Sequence, residues 1–539
     1  MCREQAIAID IGTSGIRGQL LDLGSGKVVR TYVTTRNPVP GSNVMDHLSF
    51  AIERGPGLAR GILLDAVHGL VAGLSPERLV RIGVCGNPIQ LSLFSGTEVR
   101  DLAYAGKNML SSQNVGEVDR SGRIVPGDTI GLAHDIEVVI PPAVRHEIGA
   151  DALAMMLKSG FLDDDMCMVT DYGTNAEMAL KVGDDIYSGS AAAGPALEGQ
   201  QISSGMLAGP GALCDLVRTP RGWRAKVLDR DLVARDGPLL NLRSGISRAE
   251  GMVPTGITGT GVVALVYAGM QDGRIEPPEI RGGPIEVSRR IRFGEEDLKE
   301  AGKAIGAIRA GHMSLIAAAG IDGGDVSVMY MAGASGTYVD PVKAQAVGIV
   351  PAGAGRLVQV GNTSLALAKD LALDPDMIKP LNDLRGRLLT KHIMFAEDDM
   401  FRNLYVCELA HWTEGMSERR YSKAVEDLGI VLPSGPPSGP TVEKRVVRDI
   451  DDVGEGMTVA DCGTSMHASW ECSGCMTCVR SCPEDALVFE DGVFRIDTGR
   501  CLGTACCRCQ EGCPEKIFDQ GSFSLGRGPG ISHPDRPCC

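Results

Sequence analysis

Apolar positions near the N-terminus come in short runs broken by glycine and serine. "AIAID" (6–10), "IRGQLLDL" (16–23) and "VVRTYVTT" (28–35) read as three strands, joined by the turns "IGTSG" and "GSGK". The period then lengthens. "LARGILLDAVHGLVAGL" (58–74) spaces its apolar residues as a helix does, and a strand, "LVRIGVCG" (79–86), leads into "NPIQLSLF". About 160 residues after the first copy the opening pattern returns as "MCMVTDYGTNAEMALKVGDDIYSG" (166–189): strand, turn, strand, turn, strand. Such a recurrence predicts two related subdomains with a shared cleft. Beyond it come "TGITGTGVVALVYAGM" (255–270), a long helix over 295–320 and a buried strand, "VSVMYMAG" (326–333). "PSGPPSGP" (433–440) has the composition of a linker.

A length of 539 residues predicts two to four domains. Apolar residues at 43% and charged residues at 22% are ordinary for a soluble globular chain. The formal charge of −15 argues against nucleic acid and anionic membranes as partners, since both would repel it. The N-terminal apolar run is too short for a signal peptide, and no stretch approaches the roughly 20 apolar residues of a membrane span, so a cytoplasmic location is expected.

Two strand-ending turns carry candidate chemistry: Asp10, Gly12, Thr13 and Ser14, and then Asp171, Gly173, Thr174 and Asn175. Glycine lets the backbone approach a phosphate, and N–H groups with Thr and Ser hydroxyls donate to its oxygens. A carboxylate beside a phosphate requires a cation between them; Mg²⁺, which keeps several waters, suits Asp10 and Asp171. One such turn alone would be a plain hairpin; two in matched strand contexts suggest a clamp on nucleotide phosphates. Glu177 is a candidate water activator. In "MYMAGASGTYVD" (329–340), Gly333 and Gly336 would let a flat base lie against backbone. No P-loop is present, and "GITGTG" (256–261) lacks the acidic residue of a dinucleotide fingerprint.

Of 17 cysteines, nine fall between Cys472 and Cys513, a density that in a long chain points to metal. Cys472, Cys475, Cys478 and Cys482, followed by Pro483, have the spacing of bacterial ferredoxins, in which the fourth cysteine of each run ligates the other cluster. The second run departs: Gly503 stands at the expected first position, Cys501 is the nearest substitute, and Cys507 is spare. The expectation is one 4Fe–4S cluster on Cys472, Cys475, Cys478 and Cys513, and a second on Cys501, Cys506, Cys509 and Cys482, its type left open by the altered run. Structural zinc is the competing reading, but zinc sites favour paired hairpins over three-plus-one runs ending in proline. Cys85, Cys167, Cys214 and Cys407 lie in apolar segments and read as core; Cys538 and Cys539 end a tail expected to be unstructured.

The segments 7–14, 169–177 and 331–337, in this order, resemble the phosphate-1, phosphate-2 and adenosine motifs of the superfamily of sugar kinases, heat-shock chaperone ATPases and actin. "VGNTSLALA" (360–368) stands where that superfamily has its second connecting helix. More closely, "CGNPIQLSLF" (85–94), "SAAAGPALEGQQISSGM" (190–206), "TGITGTGVV" (255–263) and "AGASGTYVDP" (332–341) resemble the reductive activators of corrinoid proteins, and the C-terminal double-cluster module is similar to those serving methylamine methyltransferases of methanogenic archaea. Many members carry an N-terminal 2Fe–2S domain; here the phosphate-1 strand begins at residue 6 and none is expected.

The resemblance implies an α/β fold with two ribonuclease-H-like, actin-type lobes around an ATP cleft, plus a small α+β bacterial-ferredoxin-like domain. The expected boundaries are 1–165 for the first lobe with an inserted segment, 166–430 for the second lobe with the adenosine region, 431–460 for a linker, 461–525 for the ferredoxin-like domain and 526–539 for a tail. The implied activity is ATP-dependent reduction of cobalt(II) to cobalt(I) in a partner corrinoid protein, for methylamine-dependent methyl transfer in methanogenesis, fed by a low-potential electron donor. Around His68 no D-x-H-x-x-G motif is found, which places the corrinoid on the partner. Other readings stay open: a metabolite kinase with a redox-sensing ferredoxin domain, an ATP-switched electron carrier, or an activator of another low-potential metal centre such as that of methyl-coenzyme M reductase.

Overall fold

The computed structural model of the chain describes residues 3–103, 115–116, 118–144, 148–173, 175–193, 195–198, 201–433, 439–446 and 448–526. Two compact units emerge: Met1–Asp151 with Ser364–Arg385 and Asp452–Cys539, and Ala152–Thr363 with Gly386–Asp451.

In the first unit β1 (Glu4–Ile11), β2 (Ile16–Asp22) and β3 (Val28–Thr34) form the predicted antiparallel meander. β4 (Arg78–Gly86) pairs parallel to β1; β5 (Arg123–Pro126) and β6 (Glu137–Ile140) complete that side, with β6 parallel to β4. Ile7, Ile9, Ile11, Leu20 and Leu21 are buried, each contributing about 1.5–3 kcal/mol of hydrophobic burial. Helix α1 (Val44–Arg54) is capped by Asn43, whose side chain accepts from the Met45 and Asp46 N–H groups.

Helix α2 (Pro56–Leu74) corrects the reading that no segment is long enough for a membrane span: its 19 residues pass that test by length and composition. Here its face of Ala59, Ile62, Leu63, Ala66, Val67, Leu70 and Leu74 is buried on the sheet. The fit is close, since a Cβ on Gly18 would come 2.5 Å from Leu70 and one on Gly73 equally near Tyr32.

The second unit repeats the plan. β7 (Met166–Tyr172), β8 (Ala176–Val182) and β9 (Asp185–Ala191) form the meander; strands Val328–Ala332 and Arg356–Gly361 continue it in parallel. A five-stranded sheet over 212–257 and the helix Gly259–Gln271 are inserted between β9 and Val328–Ala332. The matched topology of the two sheets is the one the resemblance implied.

Two boundaries differ from expectation. Residues 364–385, expected in the second lobe, belong to the first unit: the helix Thr363–Leu373 buries Leu367, Ala368, Leu371 and Ala372, and a Cβ on Gly83 of β4 would meet the Ala368 carbonyl oxygen at 2.4 Å. Within the expected linker, strand Thr441–Lys444 pairs parallel to Arg356–Gly361 and strand Met457–Ala460 pairs parallel to β3. Part of "PSGPPSGP", 434–438, lies outside the described residues, as do residues 527–539 with Cys538 and Cys539.

The cysteine-rich module is a four-stranded antiparallel sheet, with Ser465–Ala468 between Val493–Asp497 and Ser524–Gly526 and Leu487–Glu490 on the outer side of Val493–Asp497. Expected as a separate domain, it belongs to the first compact unit.

Candidate functional site

In the first unit the β1–β2 hairpin presents the phosphate-1 residues. The Gly12 N–H donates to the Gly15 carbonyl at 3.0 Å, closing the turn. A Cβ on Gly15 would come 2.9 Å from the Thr34 carbonyl oxygen, so glycine is required there by β3. Asn37 Nδ2 donates to the Gly12 carbonyl at 2.8 Å, and Asn87 Nδ2 donates to Thr13 Oγ1 at 3.2 Å. Ser14 is exposed. Asp10, only 4% exposed, accepts from Arg17 Nη1 at 3.2 Å; the two are register partners across the hairpin.

Asp151, in the first turn of the helix Ala150–Lys158, was not singled out in the sequence. A Cβ on Gly149 would come 2.5 Å from its Oδ1 and 2.8 Å from Asn87 Cα, so the carboxylate lies beside the Asn87 turn. Both acids act on buried Cys85: burial, then the charges of Asp10 and Asp151, push its thiol well above the usual range. Two carboxylates, one hydroxyl and one amide thus gather at the ends of β1 and β4. No local motif marked Asp151: the segment before its helix, "PPAVRHEIG" (141–149), carries none of the turn patterns read at 10–14 and 171–175.

In the second unit the β7–β8 turn is closed by the Gly173 N–H donating to the Asn175 carbonyl at 3.1 Å; Thr174 lies outside the described residues. Glu177 is the register partner of Asp171 and accepts from Ser190 Oγ at 3.5 Å. Gly333 has φ of +77°, and a Cβ there would collide with Asp171 Oδ1. A Cβ on Gly336 would press on the Met331 backbone and Tyr172. One cavity is lined by Tyr172, Gly173, Gly259, Thr260, Ser335 and Val339, which brings the phosphate-2 turn, the glycine-rich 256–261 stretch and the adenosine stretch together. Behind it, Thr170 Oγ1 meets His312 Nε2 at 2.9 Å, and burial lowers that imidazole to about 3.

The cysteines fall into two neighbourhoods. Cys472, Cys475, Cys478 and Cys513 line one cavity with Trp470, Phe489, Phe494 and Phe518. Burial, with the neighbouring Cys509, Cys482 and Cys506 adding to it, pushes Cys501 up to about 12. The two halves repeat in backbone: Met476 and Cys507 hold left-handed φ of 60° and 48° before the short helices Thr477–Arg480 and Arg508–Glu511, and Asp485 and Lys516 hold 50° and 54° after the prolines. Burial raises Cys513, but the backbone N–H groups of Phe518, Ile517, Glu515 and Lys516 carry it below its usual value; donation from Thr477 and Ser473 does the same for Cys475. Among the described residues no three ligating side chains are gathered closely enough for a single metal ion.

The module meets the nucleotide-type lobe within the same unit. The Gly41 N–H donates to the Cys501 carbonyl at 2.9 Å, Cys462 Sγ donates to the Arg36 carbonyl at 3.0 Å, and Thr464 Oγ1 donates to Asp65 at 3.2 Å. Residues 34–43 therefore touch the phosphate-1 turn through Asn37 and the cysteine module through Gly41.

A family model described as the RACo middle region matches residues 5–164, and one described as the C-terminal domain of RACo, the ASKHA domain, matches 165–422. The chain is 44% identical over 516 residues to a [Co(II) methylated amine-specific corrinoid protein] reductase of Methanosarcina barkeri, covering 93% of this chain and 95% of that protein. It is 25% identical over 433 residues to the corrinoid activation enzyme RamQ of Eubacterium limosum, covering 74% and 69%. Among solved structures, a reductive activator for corrinoid, iron–sulfur protein superposes with a TM-score of 0.60 at 22% identity, over 77% of this chain and 68% of that one, a likeness of fold.

Proposed function

Because the chain belongs to the RACo family of reductive activators of corrinoid proteins, with the fold of the actin, chaperone and sugar-kinase ATPases, we propose that it reduces the cobalt(II) of a methylamine-pathway corrinoid protein to cobalt(I) at the expense of ATP. The observation that supports this most is the pairing, in one compact unit, of a phosphate-type turn with two pseudo-symmetric sets of four thiols. Each set suits an iron–sulfur cube: thiols drawn from two loops, an aromatic wall behind the first set, and N–H donors aimed at the sulfurs. When bound, two 4Fe–4S clusters supply one-electron transfer.

The chain's own residues divide the remaining work. Gly12, Thr13 and Ser14 in the first unit take phosphate oxygens of ATP, and Gly173, Thr174 and Asn175 in the second unit carry the same kind of phosphate-binding turn. Asp10 and Asp171 position Mg²⁺ through water, Asp10 being held in place by Arg17. Gly333 and Gly336 clear space for adenosine beside Tyr172 and Ser335. Asp151 joins Glu177 as a candidate to orient the attacking water. ATP is needed because the electron moves uphill: each 59 mV costs about 1.4 kcal/mol for one electron. The coupling requires that the partner bind the ATP-bound and ATP-free forms with different affinity.

Anaerobic visible spectroscopy tests this. A cobalt(II) corrinoid protein of a methylamine system, mixed with this chain, a low-potential reductant and ATP, is expected to develop the cobalt(I) band. The same band without ATP, or none with it, overturns the proposal.

A further inference from the structure

The two sets of thiols differ in what lies outside them. Around Cys482, Cys501 and Cys509 most donors are local backbone: the Ala486 N–H reaches Cys482 Sγ at 3.2 Å and the Gly503 N–H reaches Cys501 Sγ at 3.4 Å. One donor is not. Gln520 Nε2 lies 3.2 Å from Cys509 Sγ, and Gln520 Oε1 accepts from Arg54 Nη2 at 3.0 Å and from Cys507 Sγ at 3.7 Å. Arg54 is the last residue of α1, a helix of the nucleotide-type lobe.

The chemistry of this chain of contacts has one orientation. A guanidinium only donates, and a metal-bound thiolate only accepts. Arg54 therefore holds the amide oxygen toward itself and turns the NH₂ toward Cys509. Without Arg54 the amide is free to flip and face its oxygen to the sulfur, a repulsive contact. Cys507, spare in the ligand count, supports the same orientation. An N–H donor and a nearby positive charge both stabilise the added negative charge of a reduced cluster, and hydrogen bonds to the sulfurs are among the determinants of cluster potential.

We infer that Gln520 tunes, and Arg54 positions Gln520 to tune, the reduction potential of the cluster held by Cys482, Cys501, Cys506 and Cys509, raising it and leaving the other cluster unaffected. The inference rests on the iron–sulfur reading above and goes beyond it: a side chain of the ATP-type lobe sets the redox property of one of the two clusters.

The test is an anaerobic potentiometric titration of the full-length holoprotein with Ti(III) citrate, read by electron paramagnetic resonance. Cys475→Ser, which removes a ligand of the other set, assigns the signals. Gln520→Leu and Arg54→Leu are expected to lower the midpoint of the Cys482/501/506/509 cluster so that its reduced-to-oxidised ratio at fixed potential falls up to about tenfold, equivalent to 59 mV for one electron. Gln520→Glu, which sets a carboxylate against the sulfur, shifts it further, and Arg54→Lys restores part of the loss. A merely structural role would not produce this order. If Gln520→Leu fails to hold the second cluster, Arg54→Leu, which touches no cysteine ligand, decides. Unchanged midpoints in chains that retain both clusters, or a shift of the other cluster, overturn the inference while the iron–sulfur reading stands. A wild-type chain that purifies without iron and sulfide sinks both.

Discussion

At the scale of single residues, the first unit gathers two carboxylates beside a buried thiol. Asp10 and Asp151 both bear on the buried Cys85 thiol, and Arg17 pairs with Asp10 at 3.2 Å. If Asp151 orients the attacking water, Asp151→Asn should bind nucleotide and retain its iron yet hydrolyse ATP about 10²-fold or more slowly, in the range of a lost general base. Glu177→Gln should then stay near wild type; phosphate release assays on the two variants separate the candidates, and the reverse pattern would return the role to Glu177. Two buried histidines predict a pH effect. Burial lowers His47, which meets Gln90 Nε2 at 2.8 Å, to about 4, and His312 to about 3. Their folded values lie below the unfolded 6.5, so the stability they hold is complete above pH 6.5 and is lost as pH falls toward 4 and 3. The slope is roughly 1.4 kcal/mol per pH unit for each histidine. Urea unfolding at pH 7 and pH 5 should show it, and His312→Asn should flatten it; equal slopes would mean that the imidazole charges inside the fold.

At the scale of elements, the recurrent strand–turn–strand pattern was readable because both meanders alternate glycine turns with apolar runs, and the same Asp-x-Gly spacing ends β1 and β7. Cys513 shares a cavity with Cys472, Cys475 and Cys478, and Cys482 is a neighbour of Cys501; the assignment of these cysteines to two clusters belongs to the proposed function, while the cysteine runs themselves were readable from spacing. Three things were not. Asp151 acts from a helix with no motif of its own. Gln520 and Arg54 meet across 466 positions, and neither residue type is unusual in its local sequence. Strands Thr441–Lys444 and Met457–Ala460 are four residues each, mostly exposed, and owe their structure to the neighbours they pair with. The pairing of β4 with the helix Thr363–Leu373 gives a test of close approach. Gly83→Ala would drive a Cβ into backbone at 2.4–2.5 Å and should destabilise by about 1–3 kcal/mol. Gly57→Ala, where a Cβ meets nothing within 4 Å, should be neutral or stabilise by up to about 1 kcal/mol. Thermal denaturation of the pair decides; equal melting temperatures would mean that the helix shifts freely.

At the scale of the whole molecule, the cysteine module is built into the first unit by Gly41–Cys501, Thr464–Asp65 and Arg54–Gln520. With the proposed clusters bound, stripping iron with a chelator under air should speed hydrogen exchange over residues 35–54 as well as over the module, while β7 in the second unit keeps its protection. Mass-spectrometric exchange reads this, and an unchanged 35–54 segment would mean that the module folds without its metal. The short strands on either side of residue 450 carry a practical consequence. A chain cut at the proline-rich stretch to make a cluster-free ATPase would lose Thr441–Lys444 and Met457–Ala460 together, leaving the outer N–H and C=O groups of Arg356–Gly361 and of β3 open to recruit strands from other molecules. Such a truncate would report on aggregation before it reported on nucleotide, so a useful deletion begins after Ala460.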